Sequence, residues 1–292
     1  IALTFVMLFL EIKVSYHRYA HILKWLTLSL FSYILVAIIV QPDWLEVVKS
    51  LTIPKIQFNK EFIVAMVAVM GTTISPYLFF WQTSEEVEEE RDKKILSDHH
   101  KIALKHEISD MRKDTLVGMS YANIVFLFIV VTTAFVLYKH GLHNIDSAEQ
   151  AAAALKPLAG KWASLLFTVG IFGVGLLAVP VLAGSSAYAV AELFRWKEGL
   201  YKKYSRARGF YGIIIASLIV GLGMNLIGIN PIKALYFAAI VNGLAAPVLL
   251  YYIFRLGGDR RVMGDFTNPK WVNFFGTITI LLMAGAAILL LL

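Results

Sequence analysis

The chain has 292 residues, 58% of them hydrophobic and only 16% charged, with a mean hydropathy of +0.69. Those proportions exclude a soluble globular domain and describe an all-α polytopic membrane protein. The net charge of +7 does not call for a nucleic-acid partner, because the basic residues lie between apolar segments, and the absence of cysteine removes disulfides, thiolate metal sites and cysteine nucleophiles.

In chain order, apolar segments fall at about 1–10, 22–40, 61–83, 116–138, 162–193, 209–229, 232–254 and 271–292. Most approach the roughly 20 residues needed to cross a bilayer, which predicts seven full spans and one partial span in a single transmembrane domain, 1–292. The partial span, Ile1 to Leu10, opens without Met inside an apolar run, so the chain reads as truncated at its N-terminus. Loops 11–24, 84–115, 194–208 and 255–270 together carry 20 Lys and Arg, whereas loops 41–60, 139–161 and 228–233 carry 7. The positive-inside rule therefore puts the first set in the cytoplasm of a multi-pass protein of the cell (inner) membrane. Span 61–83 then runs from outside to inside, and Leu292 ends on the outer side.

The third segment contains "MGTTISPYLFFWQTSEEVEEE", residues 70–90. Pro76 has no N–H and its ring crowds the carbonyl four residues back, so it frees the Thr72 C=O, while Gly71 weakens the helix at the same place. A freed carbonyl in hydrocarbon is tolerated where it is buried in protein or lines a polar cavity, and Thr72, Thr73 and Ser75 add hydroxyls around it. The plain alternative is a proline kink whose carbonyl is satisfied by a neighbouring hydroxyl.

Loop 84–115 reads as a charged cytoplasmic segment in which His99, His100, His106, Asp98 and Glu107 have loose metal-ligand character. Residues 139–161 read as a short amphipathic helix on the outer surface. In 162–193, Gly170, Gly173, Gly175, Ala178, Ala183 and Gly184 suit close helix packing, and Pro180 suits a kink. In 232–254, Pro247 would free the Gly243 carbonyl beside Asn242. No segment carries Asp or Glu near its middle; Glu11, Glu61 and Glu192 all lie at edges. The spans lack a Ser/His pair, paired Asp or metal-binding His motif, so no enzyme is expected.

Residues 71–89 (GTTISPYLFFWQTSEEVEE), 114–119 (DTLVGM), 175–192 (GLLAVPVLAGSSAYAVAE) and 230–236 (NPIKALY) resemble the Nramp family of divalent metal transporters, and more specifically its bacterial Nramp-related branch. The resemblance covers the whole chain, from the family's fourth helix through its eleventh. It implies a partial LeuT-type inverted-repeat fold, alternating access around a midplane site, and a broken sixth helix at 61–83. Where the family places Met-Pro-His, this chain has Ser75-Pro76-Tyr77. The family's backbone carbonyl ligand falls on Thr72, the same atom that Pro76 frees. Asn242 stands in for a tenth-helix glutamine. Replacing a thioether with a hydroxyl favours a hard ion, so the expected cargo is Mg2+ or Mn2+, with Fe2+ a further candidate. Members of the branch are associated with Mg2+ transport. No resident cofactor is implied.

A divalent cation at the bilayer centre needs compensating carboxylates. The family supplies them from its first helix, which is outside this sequence, so the chain alone is expected not to transport. Gln82 occupies the place of the family's second histidine, which favours uniport over proton symport. Glu85 and Glu86 begin roughly 13 Å along the helix from Pro76, at an inner vestibule, and Glu88 to Glu90 read as a solvated helix cap. A LeuT-fold symporter of amino acids or another small solute, and a non-transporting membrane scaffold, are the competing readings. Oligomerisation is left open.

Overall fold

A computed structural model of the chain describes residues 16–57, 59–74, 77–92 and 101–291, together with Thr4 and Met7. Every regular element among the described residues is helical. The expected span at 1–10, Ser75, Pro76, Asp98, His99 and His100 lie outside the described residues, apart from Thr4 and Met7.

Helix α1 (Tyr16–Leu26) passes through a 3-10 turn, Thr27–Leu30, into α2 (Phe31–Val40). Gln41 ends α2 in the left-handed region at φ 47°, and Asp43 then caps α3 (Trp44–Thr52) by accepting from the N–H groups of Leu45 and Glu46. Asn59 caps α4 (Lys60–Thr73), a π turn covers Leu78–Gln82, and α5 (Thr83–Asp92) follows. Helix α6 (Lys101–Thr132) continues through a π turn, Thr133–Leu137, and a 3-10 turn, Tyr138–His140. Ser147 caps α7 (Ala148–Ala159). The rest is α8 (Lys161–Leu193), α9 (Arg208–Leu226), α10 (Pro231–Gly258), the short α11 (Arg260–Met263) and α12 (Lys270–Leu291).

Among the described residues, six stretches are long and apolar enough to cross a membrane: His21–Val40, Ile108–His140, Lys161–Leu193, Arg208–Leu226, Pro231–Gly258 and Lys270–Leu290. The chain is a multi-pass membrane protein. The expected span 61–83 is not among them as one helix, since α4 has 14 residues and stops at Thr73. Loop 84–115 is helical at both ends, as α5 and the start of α6, so the charged segment is mostly an extension of helices beyond the apolar spans. Trp25, Trp44, Trp162 and Trp271 stand exposed near span ends, where an indole ring can keep its N–H wet and its body in lipid.

The chain divides into two compact units. The larger comprises residues 1–54 and 80–230. In it α8 is the central mast, packed by α1, α2, α7 and α9. Glycines on α8 make this possible: a Cβ on Gly170 would run into Ser32 and Tyr33, and one on Gly173 would strike Ser29. Gly175 faces open space and has no such role, and α8 runs on as helix through Pro180. One core gathers Tyr33, Val36, Leu137, Leu155 and Phe167; another gathers Ala187, Tyr188, Phe210, Ile214 and Leu218. The amphipathic α7 buries Ala151, Ala152 and Leu155, and Ser164 Oγ donates to the Ala152 carbonyl at 2.6 Å.

The smaller unit comprises residues 55–79 and 231–292. Here α4, α10 and α12 pack pairwise, with α11 turning the chain between the last two. The buried residues of α4 and α10 are small (Val67, Ala68 and Gly71; Ala239, Gly243 and Ala246), and α12 adds Met283.

Candidate functional site

The smaller unit holds the break. Asn59 Oδ1 accepts from the Phe62 N–H at 2.8 Å and starts α4; the helix then runs to Thr73, and Ile74 leaves helical geometry at φ −111° and ψ 76°. Its N–H still reaches the Met70 carbonyl at 3.0 Å. The next helical residue described is Tyr77. Residue 76 has no N–H to offer the Thr72 carbonyl, so the end of α4 carries an acceptor that its own helix cannot satisfy.

The hydroxyls around it are already engaged. Thr72 Oγ1 and Thr73 Oγ1 both donate to the Val69 carbonyl, at 2.8 and 2.9 Å. This back-bonding turns their lone pairs outward and leaves the Thr72 side chain exposed. Tyr77 is half-buried, and the helix resumes through the π turn that contains Gln82. Wide turns of this kind concentrate at functional sites. Ser75 and Pro76 carry sequence-based roles that fall outside the described residues.

Gly71 does more than weaken a helix. A Cβ there would collide with the Ala239 carbonyl oxygen and the Gly243 backbone, and a Cβ on Gly243 would collide with the Val67 carbonyl. Helices α4 and α10 therefore cross with backbone against backbone at a Gly71–Gly243 contact, which only glycine permits. Thr72 and Asn242 each adjoin one of these two glycines in sequence. Asn242 is half-buried there, and α10 continues as helix through Pro247. The signal for this crossing is legible in retrospect in Ala239, Gly243 and Ala246, a stripe of small residues at helical spacing.

The glutamates belong to the larger unit. Glu86 is half-buried and Glu89 exposed, whereas Glu85 is only 8% exposed. Glu85 Oε1 lies 3.3 Å from Tyr188 Oη, and Glu88 Oε1 lies 3.1 Å from the same oxygen. Glu88 Oε2 accepts from the Tyr201 N–H at 3.3 Å. Glu88 is thus an anchored residue and not the solvated cap expected of it. Beside it lies a cavity of about 400 Å³ lined by Thr83, Glu88, Arg91, Glu192, Glu198 and Lys202 among others. Burial pushes the Glu85 carboxyl up to about 8, reinforced by the charge of Glu88. Tyr188 and the 198–201 turn gave no local sequence signal, because their role depends on contacts about 100 residues away.

Helix α6 begins before His106 and Glu107, and His99 and His100 lie outside the described residues. Among the described residues, no group of three or more His, Asp or Glu side chains is arranged to hold a metal ion. The crossing in the smaller unit therefore offers backbone and hydroxyl oxygens and an amide, with no carboxylate.

Comparison with known proteins agrees with this architecture. The family profile described as "Natural resistance-associated macrophage protein-like", Nramp, matches residues 1–292. The divalent metal cation transporter MntH of Vibrio campbellii is 25% identical over 238 residues, covering 82% of this chain and 51% of that protein. MntH of Clostridium acetobutylicum is 25% identical over 254 residues, covering 85% of this chain and 53% of that protein. The uncharacterized membrane protein YcsG of Bacillus subtilis is 26% identical over 181 residues, covering 62% of this chain and 42% of that protein. The chain spans about half the length of the MntH relatives it matches. With a helix broken beside a glycine crossing and a profile match from end to end, the chain belongs to the Nramp family, a family of transporters and not of enzymes.

Proposed function

We propose that the chain supplies half of a divalent metal cation site in a transporter that works by alternating access. One observation carries this: α4 ends at Thr73 directly after the Gly71–Gly243 crossing, and Pro76 withholds an N–H from the Thr72 carbonyl four residues before it. Thr72 C=O, Ser75, Tyr77 and Asn242 are the proposed cation contacts; Gly71 and Pro76 shape the break. The MntH names support a divalent cation as cargo.

An all-oxygen donor set favours hard ions, since carbonyl and hydroxyl oxygens hold Mg2+ and Mn2+ well and lack the polarisable sulfur that prefers later transition metals. Mg2+ keeps much of its water, so few protein contacts suffice. The half-buried Glu86 is the remaining candidate for an inner vestibule; Glu85, buried against Tyr188, is not. The cytoplasmic placement of loops 11–24, 84–115, 194–208 and 255–270 rests on their basic excess. With Gln82 in the break and no histidine at the site, uniport is the favoured mode.

The test is uptake into proteoliposomes by a longer protein that includes these residues, with Mn2+ as tracer and Mg2+ as competitor. Mg2+ should compete; failure at large excess would sink the hard-ion assignment. This chain alone should give no saturable flux, because it places no carboxylate at the site, and saturable flux from it would refute the half-site.

A further inference from the structure

The inner end of α5 poses a hydrogen-counting problem that transport does not use. Tyr188 Oη has a single hydrogen but stands beside two carboxyl oxygens, Glu88 Oε1 at 3.1 Å and Glu85 Oε1 at 3.3 Å. The same oxygen accepts from the Leu200 N–H at 3.3 Å. A phenolic hydroxyl donates once and accepts through two lone pairs. If both carboxyls were ionised, one would face the phenol oxygen with nothing to share. If Glu85 keeps its proton, every position closes: Glu85 donates to Tyr188 Oη, Tyr188 donates to Glu88 Oε1, and Glu88 Oε2 accepts from the Tyr201 N–H.

The surroundings decide which carboxyl holds the proton. Glu85 is 8% exposed, and its Oε2 is buried without a hydrogen-bond partner, a position tolerable for a neutral carbonyl oxygen and costly for half a charge. Burial raises the Glu88 carboxyl as well, but the Tyr201 N–H, the Tyr188 hydroxyl and the charge of Lys202 pull it back toward its ionised form, whereas Glu85 has only the Tyr188 contact to offset its burial. Gly199, at φ +128°, leaves the space that the Glu88 carboxylate fills; a Cβ there would collide with it. The turn is thus shaped around the Glu88 carboxyl group. The remaining charged or titratable neighbours are Glu86, Glu89 and Arg91 from α5, Glu192 from α8, and Glu198 and Tyr201 from the turn; Tyr211 on α9 is occupied in donating to the Lys202 carbonyl. Trp81 and Phe210 cover Tyr188 on its ring edges and faces, at 6.0 and 4.7 Å between centroids.

We propose that Glu85, Tyr188 and Glu88 form a proton-binding site, a carboxyl–phenol–carboxylate clasp that fastens α5 to α8 and to the 198–201 turn only while one proton is held. Losing it puts a second negative charge in a buried space beside Glu88 and loosens the seat of α5. The sign follows from linkage. Between the ordinary carboxyl value of 4.5 and about 8, the folded clasp keeps a proton that the unfolded chain has released. The clasp therefore weakens as pH rises through that window, and it is fully open above it.

Infrared difference spectra of the full chain, stepped across pH 8, test the site directly. The protonated-carboxyl stretch should vanish on the step in the native chain, be missing at both ends in Glu85→Gln, and persist in Glu86→Gln with a slightly lower midpoint. Tyr188→Phe should move the midpoint downward, because the protonated Glu85 carboxyl loses the phenol oxygen to which it donates. Amide exchange at residues 83–92 and 198–203, corrected for its intrinsic pH dependence, should run about tenfold faster above the step, and this step should be absent in Glu85→Gln. A carboxyl band that survives in Glu85→Gln, or an exchange step that persists in it, overturns the proposal.

Discussion

Two places in this protein gather oxygen atoms, and they treat them in opposite ways. At the crossing of α4 and α10, the Thr72 and Thr73 hydroxyls are tied to the Val69 carbonyl behind them, and both side chains stand exposed. At the inner end of α5, the acids are taken up by a phenol and the Tyr201 N–H under aromatic cover, with the Leu200 N–H donating to the phenol oxygen. The first arrangement leaves hydroxyl-bearing side chains exposed at a helix end; the second buries its acids against donors. The density of polar residues separates the two poorly, since the acid-rich stretch 85–90 looks the more obvious cation site. What separates them is whether each lone pair already has a donor.

Substitutions test that contrast, beginning with the largest effect. Gly243→Leu drives a side chain into the Val67 carbonyl, and neither backbone can move aside without parting α4 from α10. It should cost about 3 kcal/mol or more, seen as a lowered thermal midpoint or loss of monodisperse protein. Gly184→Ala meets the Trp81 ring instead, and a side chain can shift where a backbone cannot. Its cost should be smaller, about 1–2 kcal/mol in the same assay, and a cost equal to that of Gly243→Leu would contradict the backbone crossing. Ser75→Met, in a transport-competent longer protein, should shift preference from Mg2+ toward transition metals by about tenfold, or roughly 1.4 kcal/mol, in competitive uptake. Thr72→Val should be the mildest. Its hydroxyl only back-bonds to Val69 while the carbonyl is the proposed ligand, so uptake should stay within about 0.5 kcal/mol of the parent. A large loss there would move the ligand from backbone to side chain.

Much of this was legible beforehand. The long apolar segments were found near their structural bounds, because twenty apolar residues have few alternatives to a helix in lipid. The interruption near residue 74 followed from proline's missing N–H, a covalent property that no packing can reverse. The small residues of 162–193 pack closely at Gly170, Gly173 and Gly184, although Gly175 faces open space. Spacing along α8 could not distinguish these, since which face meets a neighbour depends on where that neighbour lies.

Glu85 was less legible still. Counted from Pro76, it falls at a helix mouth, where solvent is the natural expectation for a carboxylate. Its burial depends on Tyr188, on the Leu200 and Tyr201 N–H groups and on the room left at Gly199, none of which is near it in sequence. Local covalent chemistry and hydrophobicity were thus enough to mark apolar helices and an interrupted one, and the resemblance of four motifs was enough for the family. The choice of which oxygens stay available and which are consumed was made by distant contacts, because a hydrogen bond is satisfied by whatever donor the fold brings within about 3 Å, at any separation along the chain.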